Sequence, residues 1–195
     1  MVNGYLAFLL ALACERGLEL VLSRRNAAWA LAHGGIEVGQ RHFRYMKVLH
    51  AALFGAAAAE VVWLHRPFLS VLGVPMLALV VLAQALRYWA IMTLGPQWNV
   101  RIIVIPGWPV VTAGPYRYLR HPNYVAVIVE GFAIPLVHSA WLTAVGFSVL
   151  NACMLAVRIR CEEQALARDC RYRERLGARP RFVPAWRSTV TPDEG

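Results

Sequence analysis

Five long apolar stretches along the chain predict membrane-spanning helices. A helix that crosses a bilayer needs about 20 predominantly apolar residues. The stretches cover residues 2–22, 43–64, 67–94, 124–137 and 139–157. The chain therefore predicts an all-α integral membrane protein with about five transmembrane helices.

Prolines and small polar residues mark the boundaries of these helices. Pro67 suits the first turn of the third helix, where a missing N–H costs nothing. Pro135, His138 and Ser139 interrupt the last apolar run and predict a tight turn. The fourth and fifth spans therefore form a predicted helical hairpin, of which the first arm is short.

Composition agrees with a membrane protein. Of the 195 residues, 58% are hydrophobic and 16% are charged, and the mean hydropathy is +0.47. Ordinary soluble domains carry about 25% charged residues. These values exclude a disordered chain, which lacks apolar residues.

The net charge of +9 comes from segments that all lie on one side of the predicted membrane. Residues 23–42, residues 95–123 and the tail from Arg158 carry most of the arginines. Because cytoplasmic loops are rich in basic residues, that side is expected to be cytoplasmic and the N-terminus outside. We therefore expect membrane lipids, and no nucleic acid, as partners of the basic segments.

The four cysteines do not indicate a metal site. No two of them form the CxxC pair typical of zinc ligands. The sequence thus predicts neither a bound metal nor a disulfide framework.

The loop at residues 95–124 carries the most informative residues. Loops of this length are usually functional when they are not disordered. His121 precedes Pro122 and is therefore biased away from helical backbone angles, which leaves it free to face a ligand. Asn123 and Tyr124 open the next helix, where free N–H groups favour an anionic group.

Charged residues near the membrane boundary form two further candidate groups. Arg158 and Glu162 share one helix face, so they form either a surface salt bridge or a pair that holds a substrate and a cofactor. Arg87 and Glu130 lie inside spans, where charges are costly and usually functional. They either pair with each other or line a polar, substrate-binding pocket.

The tail after the last span predicts a helix from Arg158 to about Leu176, with Gly177 as its stop. Pro180, Pro184 and Trp186 indicate an extended segment that folds back. Residues 188–195 are predicted to be disordered. We divide the chain into N-terminal helices at 1–94, a core at 95–187 and this disordered tail.

Several of these motifs together resemble the isoprenylcysteine carboxyl methyltransferase family. They are GPYRYLRHPNY, the apolar hairpin after it, RIRCEEQAL, Tyr172 and RFVPAW. The resemblance covers residues 95–186, about half the chain. It implies an integral membrane enzyme that uses S-adenosylmethionine and lacks a Rossmann sheet.

The resemblance also implies roles for particular residues. Arg158 matches the substrate-side arginine of the family and is the candidate catalytic residue. The candidate cofactor contacts are Arg101, Trp108, Pro109, Val110, Val111, Tyr116, His121, Pro122, Asn123, Tyr124 and Glu162. The cofactor is expected to enter from the cytoplasm and a lipophilic acceptor from the bilayer.

The acceptor class follows from a second resemblance. A single lysine among 20 basic residues is typical of a GC-rich bacterial genome. The C-terminal half resembles bacterial relatives that methylate the ring hydroxyl of alkylpyrones or alkylresorcinols. We therefore expect a small lipid acceptor in a bacterial inner membrane, with an isoprenyl carboxylate or prenylcysteine as the other candidate.

Two other functions stay open at this point. Sterol and steroid reductases carry a similar HPNY segment and use NADPH, but Gly-Glu follows it there, whereas Val125 follows here. A non-enzymatic membrane protein that binds a partner through its basic tail would not need Arg158 or Glu162.

Overall fold

The computed structural model describes residues 1–169 and 172–183, and helices form most of it. The predicted all-α membrane fold is confirmed. The α-helices and strands are α1 (Val2–Ala32), β1 (Ile36–Val38), α2 (Gln40–Trp63), α3 (Ser70–Leu94), β2 (Ile102–Val104), α4 (Pro122–Leu136), α5 (Trp141–Asp169) and α6 (Tyr172–Leu176). Two short 3₁₀ helices, Gly95–Gln97 and Gly114–Arg117, lie in the long loop.

Within the described residues, three segments are long and apolar enough to cross a membrane unaided: Phe43–Trp63, Ser70–Gln97 and Trp141–Arg168. Helix α4 has 15 residues and spans about 22 Å, less than the hydrocarbon thickness of about 30 Å. Helix α1 is long enough but carries several charged residues in its second half. The count of five spans therefore stays a prediction.

Two predicted helix boundaries are wrong. Helix α1 continues ten residues beyond the predicted end of the first span, to Ala32. The polar residues there have partners in the long loop, since Asn26 Nδ2 donates to Trp98 O at 2.8 Å and Ser23 Oγ donates to Asn99 Oδ1 at 2.8 Å. Pro67 does not open the third helix, because the chain stays extended through Leu69.

A short two-stranded sheet, absent from the sequence prediction, fixes the long loop in place. Strand β1 pairs antiparallel with β2, with Ile36 opposite Val104. Ile102 and Val104 of β2 are buried. The sheet thus holds the start of the long loop against the C-terminal end of α1.

The predicted turn between α4 and α5 is present, and the carboxylate of Glu60 caps the helix that follows it. Glu60, on α2, accepts hydrogen bonds from the backbone N–H groups of Leu142 at 3.1 Å and Thr143 at 2.7 Å. Arg66 Nε donates to the same carboxylate at 3.0 Å. A buried carboxylate at a helix N-terminus satisfies N–H groups that have no partner within the helix.

Replacing Glu60 with alanine is expected to lower the free energy of unfolding by about 2 kcal/mol, since it leaves buried N–H groups unpaired. Thermal unfolding of the detergent-purified protein measures the loss as a melting temperature lowered by roughly 4–8 °C. Glu174→Ala, at an exposed position of α6, is the control and should leave the melting temperature unchanged. An unchanged melting temperature for Glu60→Ala would contradict the capping role.

Candidate functional site

One cavity of about 470 Å³ lies among α1, α2, α4, α5 and the long loop. Twelve of the predicted site residues line it: Arg87, Arg101, Trp108, Val110, Val111, Tyr116, His121, Asn123, Tyr124, Glu130, Arg158 and Glu162. Pro109 does not line the cavity, because its side chain is exposed at the loop surface. Pro122 does not line it either, because the ring is buried in the first turn of α4.

Arg158 is buried with part of its guanidinium unpaired. The residue is 3% exposed, and Nη2 donates to Val100 O at 2.9 Å. Nε and Nη1 have no hydrogen-bond partner within the described part of the chain. Because an unpaired buried cation is costly, these donors are suited to an anionic ligand oxygen in the cavity.

Glu162 is held by a tyrosine rather than by Arg158. Tyr124 Oη donates to Glu162 Oε2 at 2.6 Å, across from α4 to α5. No ion pair joins Glu162 to Arg158 in the described residues, although the two lie one turn apart on α5. The spacing allows a pair, but Val100 and Tyr124 are the partners that the fold supplies.

Other residues of the cavity wall also carry a buried polar atom without a hydrogen-bond partner among residues 1–169 and 172–183. Among them are Asn123 Oδ1, in the first turn of α4, and Trp98 Nε1, beside the first 3₁₀ helix. A buried polar group without a partner costs about 1–3 kcal/mol. Asn123 Oδ1, an acceptor, and Trp98 Nε1, a donor, are therefore available to form hydrogen bonds with a polar ligand.

His121 does not stand free for a ligand as predicted from its place before Pro122. Its backbone is non-helical, with φ −129° and ψ 58°, as expected. The ring is buried, and Nε2 lies 3.0 Å from Glu163 Oε1. The ring also stacks on Tyr124 at 5.3 Å between centroids. His121 thus shapes the cavity wall and positions Tyr124.

Glu163 joins the tail to the long loop by ion pairs. Arg181 donates from Nη2 to Glu163 Oε2 at 2.6 Å, and Arg120 Nη1 lies 3.2 Å from the other carboxylate oxygen. The backbone N–H groups of Arg120 and His121 donate to Pro180 O and Arg181 O. The predicted fold-back of the tail is confirmed up to residue 183; Pro184, Trp186 and the predicted disordered segment 188–195 lie outside the described residues.

Tyr116, in the second 3₁₀ helix, keeps its proton. Burial raises the pKa of the Tyr116 phenol well above its usual value, and the negative charge of Glu162 adds to that effect. Arg179 Nη1 donates to the backbone oxygen of Tyr116 and fixes the second 3₁₀ helix. Tyr116 therefore presents a neutral hydroxyl at neutral pH.

A group of four charges, three of them buried, also lines the cavity. Arg87 Nε donates to Glu130 Oε1 at 3.1 Å, so the predicted pair forms and also lines the cavity. Helix α1 adds Arg16, whose Nη1 lies 3.0 Å from Glu19 Oε2, and Glu19 lies 3.7 Å from Arg87 Nη1. We call Arg16, Glu19, Arg87 and Glu130 the charge cluster.

Apolar side chains also line the cavity, beside the charge cluster. The cavity residues of α4 run from Tyr124 to Ile134, ten residues or about 15 Å along the helix. Apolar side chains of three other helices line this part: Leu12, Leu53, Phe54 and Phe147. Gly131 has no side chain and so lets the Phe147 ring pack directly against α4. An alkyl or isoprenoid chain fits such a surface.

The sequence analysis missed several residues of the site. Glu163 belongs to the motif RIRCEEQAL, of whose two glutamates only Glu162 is predicted to bind the cofactor. Arg16 and Glu19 are charged residues within an apolar helix, and His50 of α2 is a histidine within a span. Their common signal is an ionisable side chain at membrane depth. Among the described residues, no three metal-ligating side chains come together.

Comparison with known proteins adds three findings. Residues 76–168 match the model of the isoprenylcysteine carboxyl methyltransferase (ICMT) family. The uncharacterized protein YpbQ of Bacillus subtilis (strain 168) is 39% identical over 156 residues, covering 80% of this chain and 92% of that protein. An uncharacterized protein of Haemophilus influenzae is 30% identical over 167 residues, covering 85% of this chain and 95% of that protein.

Proposed function

This chain belongs to the isoprenylcysteine carboxyl methyltransferase family, a family of membrane methyltransferases. We propose that it transfers a methyl group from S-adenosylmethionine to an oxygen atom of a lipophilic acceptor. The observation that carries the proposal is the continuity of the cavity. One space joins the polar residues of the loop and of α5 to the apolar surfaces of α1, α2, α4 and α5. A polar methyl donor and an apolar acceptor can therefore meet without leaving the protein.

The residues at the polar end fit the proposed methyl donor. S-adenosylmethionine supplies an electrophilic methyl group bound to a sulfonium sulfur. Glu162 and Asn123 present oxygen atoms that suit its ammonium group and hydroxyls, since Asn123 Oδ1 is buried without a partner. Tyr116 and His121 form the wall around them.

Arg158 is the group we assign to the reacting oxygen. Its unpaired Nε and Nη1 stabilise negative charge on that oxygen by charge and by hydrogen bonds. The bond to Val100 O holds the guanidinium in one orientation before any ligand arrives. Catalysis then rests on holding the acceptor oxygen close to the methyl carbon.

The acceptor we propose is an alkylresorcinol, an alkylpyrone or an isoprenyl carboxylate. Each has a polar head for Arg158 and a long apolar chain for the apolar side chains of the cavity, among them Leu12, Leu53 and Phe54. We propose that the loop and tail face the cytoplasm at a bacterial inner membrane, with the N-terminus outside; the arginine-rich segments support this orientation. This placement lets the methyl donor enter from water and the acceptor from the bilayer.

Calorimetric titration of the detergent-purified protein with S-adenosylhomocysteine, with NADPH in parallel, tests the proposal. We expect saturable binding of S-adenosylhomocysteine alone, followed by methylation of at least one acceptor in a panel of alkylresorcinols, alkylpyrones and prenylcysteines. Binding of NADPH alone would instead identify a reductase. Binding of neither compound, with no acceptor methylated, would contradict the proposed activity.

Glu162→Gln is expected to raise the Kd for S-adenosylhomocysteine by about 10–100-fold, because a charge-assisted hydrogen bond to the ammonium group is worth about 1.5–3 kcal/mol. The same titration measures it. Glu174→Gln removes an exposed carboxylate of α6 and should bind as the wild type does. Equal affinities for Glu162→Gln and the wild type would place the ammonium group elsewhere.

A further inference from the structure

His50 is an ionisable residue that the proposed reaction has not yet used. It lies on α2 within the membrane-spanning segment Phe43–Trp63 and lines the same cavity as Arg158. Ionisable side chains at membrane depth are rare and commonly functional. His50 also precedes the segment that matches the family model, residues 76–168.

The hydrogen bond of His50 fixes which ring nitrogen carries the proton. Nδ1 lies 2.9 Å from the backbone oxygen of Met46. A carbonyl oxygen only accepts hydrogen bonds, so Nδ1 must carry the hydrogen. In the neutral ring Nε2 then holds a lone pair, and it has no hydrogen-bond partner within the described residues. The edge of the ring packs against Phe147, 5.4 Å away between centroids, which holds its orientation.

Charged groups from α1, α2, α3, α4 and α5 line the same cavity as His50. They are Arg16 and Glu19 on α1, Lys47 on α2, Arg87 on α3, Glu130 on α4 and Arg158 on α5. Arg87, Glu130 and Arg158 lie close enough to act on His50 electrostatically. Four of the six groups are cationic, so the cavity as a whole favours an acceptor that becomes an anion.

We propose that His50 Nε2 is the base that takes the hydroxyl proton of a phenolic or enolic acceptor; this rests on the proposed methyl transfer. The acceptor O–H bond breaks and an N–H bond forms on His50, which leaves the electron pair on oxygen beside Arg158. That oxygen forms its bond to the methyl carbon as the methyl–sulfur bond breaks, the sulfur keeps the electron pair, and the imidazolium returns its proton to solvent.

A base at this position distinguishes the two candidate acceptor classes. A carboxylic acid, with a pKa near 4, is ionised at neutral pH and needs no base. A phenol, with a pKa near 10, is neutral and gains most from proton removal in the transition state. His50 therefore points to a hydroxylated ring lipid, rather than an isoprenyl carboxylate, as the substrate class.

His50→Gln tests the proposal, because glutamine accepts a hydrogen bond at this position but does not take a proton. With a long-chain alkylresorcinol, we expect kcat to fall about 100-fold below the acceptor pKa, and to recover as rising pH ionises the acceptor in solution. Titration with the alkylresorcinol and with S-adenosylhomocysteine, each alone, should give Kd values within about threefold of the wild type, a binding change worth under about 1 kcal/mol. His33→Gln is the matched control, since that exposed ring bonds Trp29 O in the same way but lies outside the cavity.

The outcomes separate the proposal from the proposed activity. A His50→Gln enzyme that keeps its full rate at low pH overturns the role of His50, and so does a loss that is equal at every pH. If the wild-type enzyme methylates a farnesylated N-acetylcysteine but no hydroxylated lipid, the proposed role of His50 is also overturned. A wild type that methylates neither acceptor overturns the proposed activity itself.

Discussion

Replacing Arg158 with alanine is expected to lower kcat for the acceptor by about 1,000-fold, the loss typical when an enzyme loses a buried donor to a reacting oxyanion. Nε and Nη1 of Arg158 are the unpaired cationic donors that we assign to the acceptor oxygen. The Kd for S-adenosylhomocysteine should change little, because Glu162 and Asn123, rather than Arg158, are assigned to that ligand. Steady-state kinetics and the binding titration on the same preparation measure the two effects.

Two further variants, Arg158→Lys and Arg160→Ala, test whether the loss of rate is specific to the guanidinium of Arg158. Lysine keeps the charge but lacks the planar fork that bonds Val100 O and the acceptor together, so we expect an intermediate rate. Arg160 lies two residues further along α5 with its side chain exposed, and its removal should leave kcat unchanged. If Arg158→Ala kept the wild-type rate, the reacting oxygen would have to lie elsewhere in the cavity.

The parts of the site that could be predicted from the sequence depend on residues close together along the chain. The non-helical backbone at His121 follows from Pro122 directly behind it. The turn before α5 follows from Pro135 and the polar residues after it. The shared helix face of Arg158 and Glu162 follows from helical spacing.

The partners of these residues could not be predicted, because they come from distant parts of the chain. Arg158 lies one helical turn from Glu162, yet the hydrogen bond to Glu162 comes from Tyr124, 38 residues earlier in the chain. Likewise, adjacent glutamates of α5 face different partners: Glu162 faces the cavity and Glu163 binds the tail. Spacing limits which side chains can meet, whereas packing decides which of them do.

The charge cluster shows the same limit on a larger scale. The pairing of Arg87 with Glu130 could be predicted, since two opposite charges inside neighbouring spans have few alternatives. The contribution of α1 could not, because the rotation of α1 about its axis decides whether Arg16 and Glu19 face the pair or the lipid. The first half of the chain therefore supplies part of the cavity that its motifs do not reveal.

Glu130→Ala is expected to lower the free energy of unfolding by about 3–5 kcal/mol, the cost of leaving one partner of a buried ion pair unpaired. Arg87 and Glu130 are each 6% exposed. The loss should fall at the lower end of that range, because Glu19 lies 3.7 Å from Arg87 Nη1 and compensates part of the charge. Denaturant unfolding in mixed micelles measures it, and Glu174→Ala serves again as the exposed carboxylate control.

The double variant Arg87→Met with Glu130→Leu separates the cost of an unpaired charge from the value of the pair. An apolar pair of similar volume removes both desolvation penalties, so its stability should lie closer to the wild type than either single variant does. A double-mutant cycle then gives a coupling energy of about 1–3 kcal/mol between the two positions. Additive losses would mean that each charge is compensated separately, Arg87 by Glu19 and Glu130 by Arg16, whose Nη1 lies 3.8 Å from Glu130 Oε2. The charge cluster would then consist of two pairs that both bridge from α1, and α1 rather than the contact between α3 and α4 would hold this part of the cavity together.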